Sequence, residues 1–92
     1  LSGLSTMTLT ADVARQLGIE GKGSGVVIVG VEDGSPADEA GLRRGDVILE
    51  CDHSPVNGLD EFRRIAAGIR PDNTVLIFVN RGGRKFFITL GS

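Results

Sequence analysis

The sequence predicts an α+β domain, a partly open β-barrel of five to six strands capped by two helices and a one-turn helix. With 92 residues, 40% of them hydrophobic, the chain is globular but has room for only one small core. Apolar, β-branched runs are interspersed with two segments of helical apolar spacing. Fourteen glycines supply the turns between them. Strands and helices that share one core define the α+β class.

The first part of the chain predicts a strand, a helix and a second strand. Residues 4–9 combine threonine with apolar residues, which is typical of a strand. Thr10 can cap the helix that follows, and Gly18 can end it in the left-handed conformation. After the glycine-rich turn EGKGSG, the run GVVIVGVE is apolar and β-branched and predicts a buried strand.

The middle of the chain predicts a one-turn helix and a third strand. Ser35 is a good N-cap, Pro36 suits the first helical position, and Gly41 stands where the helix must stop. The segment LRRGDVILEC then turns into a strand through Gly45, and Asp46 is expected to accept backbone N–H groups near that turn. DHSP predicts another turn.

The last part predicts a helix and a hairpin. In LDEFRRIAAGI the apolar residues are spaced as a core-facing stripe, and Pro71 marks the end of the helix. The stripe consists of Leu59, Phe62, Ala66 and Ile69. TVLIFVN and RKFFITL predict two strands, joined by a loop at RGG.

Charge and composition argue against several classes of function. The net charge is −2 and the chain has no Trp or Tyr, so neither phosphate tracking nor base stacking is expected and no nucleic-acid partner is predicted. No apolar run approaches the ~18 residues of a membrane helix, so no direct membrane insertion is expected. The start, LSGLSTMT, has neither the charged nor the apolar region of a signal peptide.

Catalytic and metal-binding patterns are not predicted either. His53 is the only histidine and Cys51 the only cysteine, which leaves no nucleophile–base pair and no metal-ligand spacing. GKGSG departs from a phosphate-binding loop because a strand follows it and not a helix. Cys51 lies among apolar residues and is predicted to be a buried, unreactive thiol. The sequence therefore favours a binding module over an enzyme, with no cofactor.

The segment GSPADEAGLRRGDVILE resembles the core signature of PDZ domains, G-x-P-A-x-x-A-G-L-x-x-G-D-x-I-L-x. Ten residues match it: Gly34, Pro36, Ala37, Ala40, Gly41, Leu42, Gly45, Asp46, Ile48 and Leu49. In this interpretation the segment builds the scaffold and does not touch a ligand.

The version of the fold is similar to that of the bacterial HtrA/Deg family, in which PDZ domains follow a trypsin-like serine protease domain. A strand and helix shaped like GLSTMTLTADVARQLGI precede the signature, and the chain closes on a hairpin with RGG. The resemblance covers residues 1–92 as a single PDZ domain excised from a larger protease, and it favours the second PDZ domain of such a protein. It implies a serine endopeptidase as the parent chain and the periplasm or cell envelope as the location.

The resemblance also implies where a ligand binds. PDZ domains add a peptide as a strand to a sheet edge and capture its terminal carboxylate. The carboxylate loop would be Leu1 to Leu4, with Ser2 where the family has an apolar residue, and the docking strand would run from Leu4 to Leu9. The implied peptide-binding residues are Ser2, Gly3, Leu4, Ser5, Thr6, Met7, Glu61, Ile65 and Ile69. A pocket of Leu4, Met7, Ile65 and Ile69 is expected to hold the last side chain.

The implied partners are hydrophobic C-termini of unfolded or exported proteins, bound to feed or activate the linked protease. One alternative is an assembly module that packs against a neighbouring PDZ or protease domain and sets the oligomer architecture. Another is the PDZ domain of a site-2 protease or of a carboxyl-terminal processing protease.

Overall fold

A computed structural model of the chain describes residues 3–18, 25–70 and 73–91. They form one antiparallel sheet in the order β1-β2-β3-β5-β6, with a two-residue strand β4 paired to β3. The strands are β1 (Leu4–Thr8), β2 (Val26–Val31), β3 (Val47–Cys51), β4 (Ser54–Pro55), β5 (Val75–Arg81) and β6 (Arg84–Leu90). The helices are α1 (Ala11–Gln16), α2 (Pro36–Ala40) and α3 (Leu59–Ala67).

The predicted caps of the two short helices are confirmed. The Thr10 hydroxyl accepts a hydrogen bond from the Val13 amide at 3.2 Å and begins α1. The Ser35 hydroxyl accepts from the Asp38 amide, also at 3.2 Å, and begins α2. Gly41 ends α2 in the left-handed region, with φ at 96°, a conformation that an L-residue with a Cβ rarely adopts.

The sheet separates two groups of buried side chains. The larger core includes Val26, Ile28, Ile48 and Phe62, and α3 packs against it. A smaller core on the opposite face includes Val27 and is covered by α1. Neighbouring residues of β2 therefore serve different cores, because successive side chains of a strand point to opposite faces.

The predicted α+β fold with six strands and three helices is confirmed, and among the described residues its sheet is open and not closed into a barrel, since β1 and β6 end the strand order. Two details differ from the sequence prediction. DHSP contains the strand β4 in addition to its turn, because Asp52 and His53 both have positive φ, at 53° and 68°, and return the chain antiparallel to β3. Strand β1 ends at Thr8, and Leu9 is instead buried in the smaller core.

Asp46 ties the turn before β3 to the end of β5. One of its carboxylate oxygens accepts from the Arg43 amide at 2.9 Å, as predicted. The carboxylate also receives Nε and Nη2 of Arg81, both at 2.8 Å, and that Nη2 reaches the Gly41 carbonyl as well. Two-pronged pairing of this kind holds the end of α2, the turn and β5 together.

The described part of the chain contains no helix that is both long enough and apolar enough to cross a membrane. Lys22 of the segment GKGSG and Pro71, which was predicted to mark the end of the last helix, lie outside the described residues.

Candidate functional site

Strand β1 carries a free backbone edge. The Gly3 carbonyl accepts from the Glu32 amide at 2.8 Å, and the Leu9 amide donates to the Gly25 carbonyl at 3.0 Å. Hydrogen-bonded positions alternate along an antiparallel strand, so the odd-numbered residues of this stretch face β2. The N–H and C=O groups of Leu4, Thr6 and Thr8 then point to the other side, where the described residues supply no further strand.

The side chains of the same three residues face α3. The Leu59 amide, at the start of α3, donates to the Thr8 hydroxyl at 3.0 Å. Strand alternation places Thr6 and Leu4 on that side too, and Leu4 packs, half-buried, against the larger core. Edge and helix together form a groove that has β1 as one wall and α3 as the other.

A hydrogen bond between the walls fixes one end of this groove. Gly58, the N-cap residue of α3, has no side chain with which to cap the helix. The Thr8 hydroxyl takes its place by accepting from the Leu59 amide, 51 positions away in sequence. Since an unpaired amide at a helix start needs an acceptor, this bond positions α3 directly against β1.

Ile65 of α3 and Ile69, two residues after the end of α3, supply the apolar side chains of this wall. Ile65 and Ile69 are half-buried and pack against the same core as Leu4. Ile69, which the sequence analysis placed both in the core-facing stripe and in the implied pocket, is thus partly exposed while it packs on the core. Leu4, Ile65 and Ile69 are thus half-buried aliphatic side chains on one core, as the lining of a site for an apolar side chain would require.

Glu61 has a structural role that the sequence analysis did not predict. Its Oε1 atom accepts from the Asn57 amide at 3.0 Å and from the Asn57 Nδ2 at 3.4 Å. Glu61 is the third residue of α3, and a carboxylate that reaches back from this position stabilises the helix start. The motif of a glutamate three residues after the N-cap could have revealed this role in the sequence.

Of the implied carboxylate loop, Leu1 to Leu4, the structure describes Leu4, already placed in the groove, and Gly3. Its φ is 90°, and a Cβ on it would overlap the Cβ and Oγ of Ser35. Both observations require glycine, since the backbone at this point lies directly on the N-cap of α2. The loop is thus held by two contacts, the one with Ser35 and the hydrogen bond to Glu32.

Met7 lies on the other face of β1 from the groove. It pairs directly with Val27, whose side chain belongs to the smaller core, and it is 39% exposed. The expected pocket of Leu4 and Met7 does not fit this geometry, because residues an odd number of positions apart on a strand point to opposite faces and these two are three positions apart. Ser5 is exposed on the same face as Met7, and Ser2 lies outside the described residues.

Nothing in the described ranges gathers three or more His, Cys, Asp or Glu side chains as a metal site would. Cys51 is fully buried in the larger core, and burial raises the pKa of its thiol to about 11, with the Asp52 charge adding to the effect. His53 is exposed on its turn. The described site is therefore a strand edge beside an apolar groove, which can hold an extended peptide.

Comparisons with known proteins agree with this geometry. The family model described as PDZ domain matches residues 6–90. A probable periplasmic serine endoprotease, DegP-like, from Pseudomonas putida is 40% identical over 87 residues, which is 95% of this chain and 17% of the relative. The corresponding protein of Rhizobium meliloti is 30% identical over 88 residues, 96% of this chain and 17% of the relative. The chain thus spans about a sixth of the length of these curated relatives.

Solved structures give the same result. The HtrA-type protease AlgW with a decapeptide superposes with a TM-score of 0.87 and 32% identity, over 99% of this chain and 28% of that one. The HtrA3 PDZ domain bound to a phage-derived ligand, FGRWV, gives a TM-score of 0.81 at 20% identity, over 99% of this chain and 82% of that one. At this lower identity the second comparison supports the fold alone.

Proposed function

This chain belongs to the PDZ domain family, and on that premise we propose that it binds the C-termini of other proteins by adding them as a strand to β1. The observation that carries the proposal is the free edge of β1. Its unpaired backbone groups and its α3-facing side chains belong to the same three residues, Leu4, Thr6 and Thr8. A peptide paired there would form a ladder and place alternate side chains in the groove.

The terminal carboxylate would lie at the Gly3 end. With the last peptide residue opposite Leu4, the outward N–H of Leu4 points at the carboxylate. The last side chain would then enter the aliphatic surface of Leu4, Ile65 and Ile69. An apolar last residue is favoured, and the affinity is expected to be about micromolar because a short added strand buries little surface.

The parent chain is proposed to be an HtrA-type serine endopeptidase of the periplasm or cell envelope. The relatives named above are periplasmic endoproteases, and this chain corresponds to about a sixth of each. In that setting the domain would capture the exposed C-termini of unfolded or exported proteins and feed or activate the linked protease. We also propose that it is the second PDZ domain of its parent.

The test is an NMR titration of the isotope-labelled domain with peptides ending in Val, Leu, Ala or Phe, each also prepared with an amidated C-terminus. Free-acid peptides are expected to shift the amide signals of residues 3–9 and 61–69, whereas amidated peptides should leave them in place. Equal shifts from both forms would reject carboxylate capture. No shifts at millimolar peptide would reject the proposed function.

A second candidate, the assembly module, is favoured by a different surface. Phe87 is 56% exposed on β6 and stacks on Phe78 of β5, with ring centroids 4.6 Å apart. Strands β2 and β3 separate Phe78 from β1, and Phe87 lies one strand further away. A neighbouring domain that covered this pair would leave the β1 edge free. A Phe87→Thr substitution that disrupts assembly of the parent protein while peptide binding persists would support this role.

A further inference from the structure

The segment VNGL, just before α3, contains the single Asn–Gly pair of the sequence, Asn57 and Gly58. Asparagine is a thermolabile residue, because the backbone nitrogen of the next residue can attack its side-chain amide. Glycine hinders this attack least, since it has no Cβ. The other two asparagines, Asn73 and Asn80, precede threonine and arginine. Asn57 is also exposed, and the peptide binding proposed above makes no use of its side-chain amide.

The contacts of this pair hold the reacting atoms only loosely. The Asn57 backbone amide donates to Oε1 of Glu61 at 3.0 Å, but Nδ2 reaches the same oxygen only at 3.4 Å. A hydrogen bond of that length is weak and restrains the side chain little. Within the described ranges, no atom accepts a hydrogen bond from the Gly58 amide. The nitrogen that would attack is therefore not fixed by an acceptor.

An Asp–Gly pair elsewhere in the chain has the opposite arrangement. Asp33 precedes Gly34 and is exposed, and a pair of this kind undergoes the same cyclisation. Here, however, the Gly34 amide donates to Oδ2 of Asp38 at 2.9 Å. This bond must break before the nitrogen can attack, and the carboxylate disfavours the negative charge that the attacking nitrogen carries. The two pairs therefore differ in the availability of the same nucleophile.

We propose that Asn57 is a site of spontaneous deamidation in the folded protein, with water as the only co-reactant. The deprotonated Gly58 nitrogen forms a bond to Cγ of Asn57, the bond from Cγ to Nδ2 breaks, and ammonia leaves a cyclic imide behind. Water then opens the imide. Opening at the side-chain carbonyl gives aspartate, whereas opening at the main-chain carbonyl gives isoaspartate, in which the backbone runs through Cγ. The net change is the exchange of the side-chain NH₂ for OH.

Either product would loosen the start of α3. A carboxylate oxygen replaces the Nδ2 donor and faces Oε1 of Glu61, so a weak attraction becomes repulsion between two negative charges. Isoaspartate also adds a backbone methylene directly before Gly58, whose carbonyl accepts from the Phe62 amide at 3.1 Å. The next residue, Leu59, makes the bond to Thr8 that holds α3 against β1. The modification would therefore act on one wall of the groove.

The test follows the folded domain and, in parallel, the domain in denaturant, both kept at mildly alkaline pH and physiological temperature. Peptide mapping by mass spectrometry detects the exchange at each asparagine, and fragmentation distinguishes isoaspartate from aspartate. Asn57 in the folded domain is expected to convert within about tenfold of its rate in denaturant, because its glycine neighbour is unhindered and unpaired. Isomerisation at Asp33 should fall by a larger factor on folding, because the bond from Gly34 to Asp38 must open first.

Two variants complete the design. Gly58→Ser places serine, a favourable N-cap, at an extended position with φ at −171°, so the domain should stay folded. Its added side chain should slow the reaction about tenfold. Asn57→Gln keeps an amide but requires a larger ring, and should not react on the same time scale.

Three outcomes would contradict the inference. Asn57 that stays intact in the folded domain after the denatured domain has converted would overturn it, as would equal conversion of wild type and Gly58→Ser. The modified domain, separated by anion exchange, should show changed amide signals at residues 58–62, and unchanged signals there would overturn the effect on α3. Because none of these measurements uses a peptide ligand, the proposed function is tested separately.

Discussion

At the scale of single residues, hydrogen bonds hold the turns on which the sheet depends. Asp46 is 1% exposed and accepts from the Arg43 amide and from two nitrogens of Arg81. The Asp46 contact also raises the already high pKa of the Arg81 guanidinium, chiefly through the hydrogen bonds between the two side chains. The sequence around Asp46 predicted its bond to a nearby backbone amide. It did not predict the bond to Arg81, 35 positions away, because the pairing of β3 with β5 brings that residue close.

Asp46→Asn is expected to lower the free energy of unfolding by about 3 kcal/mol, because it leaves a partly buried guanidinium without its charge partner. Guanidinium chloride unfolding monitored by circular dichroism measures the change. Asp33→Asn, at an exposed carboxylate, is the control and should change stability by less than about 0.5 kcal/mol. Similar unfolding midpoints for both variants would contradict the assigned role of Asp46.

Cys51 is expected to resist alkylation in the native protein. Burial raises its pKa from 9.0 to about 11, so at pH 8 the thiolate fraction is about 100-fold smaller than for an exposed thiol. The native rate with iodoacetamide should be lower by at least that factor than the rate in denaturant. A native rate within threefold of the denatured one would contradict this.

The same shift makes stability depend on pH. The unfolded thiol ionises above pH 9.0 while the native thiol stays protonated, so the contribution of Cys51 is complete below pH 9 and is lost as the pH rises through about 11. Cys51→Ala, though less stable overall, should lack this decline. Parallel stability curves for both proteins across pH 8–11 would speak against a raised pKa.

At the scale of elements, β1 and α3 show what a local pattern can and cannot predict. The sequence correctly placed both elements, and the resemblance assigned them to the groove. The resemblance implied a pocket shared by Met7 and Leu4, although strand alternation by itself places two residues that are three positions apart on opposite faces of the sheet. The Thr8 hydroxyl that caps α3 had no local signal, because donor and acceptor are 51 residues apart and meet only in the folded sheet.

Thr6→Pro is expected to weaken peptide binding at least tenfold, because it removes a backbone N–H that faces the free edge of β1. The ladder with β2 should persist, since that ladder uses the odd-numbered residues of the strand. Thr6→Val, which alters the side chain and keeps the N–H, is the control and should bind within about threefold of wild type. The two variants would be compared by calorimetry, after circular dichroism shows both folded. Equal binding by Thr6→Pro and Thr6→Val would exclude strand addition at this edge.

At the scale of the whole molecule, the strand order decides which edge is available. Composition and periodicity predicted the α+β class and a single core, but the structure has two groups of buried side chains on opposite faces of an open sheet. Strand order and register are long-range properties, although Gly30 inside β2 is a local sign of the bulge beside Val29. These features determine that β1 ends the sheet beside α3 and presents different residues on its two faces.

A ligand on that edge would stabilise the entire fold by mass action. At a peptide concentration 100 times the dissociation constant, the gain is about 2.7 kcal/mol, provided that the unfolded chain does not bind. For a domain of this size we expect the Tm to rise by roughly 10 °C or more. Differential scanning calorimetry with a free-acid peptide ending in Val measures the shift, and the amidated peptide and the Thr6→Pro variant should both show almost none. Because β1 belongs to the sheet on which both cores pack, the domain should unfold in a single cooperative transition. The peptide should shift the whole of that transition to higher temperature. A transition that splits, with only part of it shifted, would mean that the β1 edge unfolds separately from the rest of the domain.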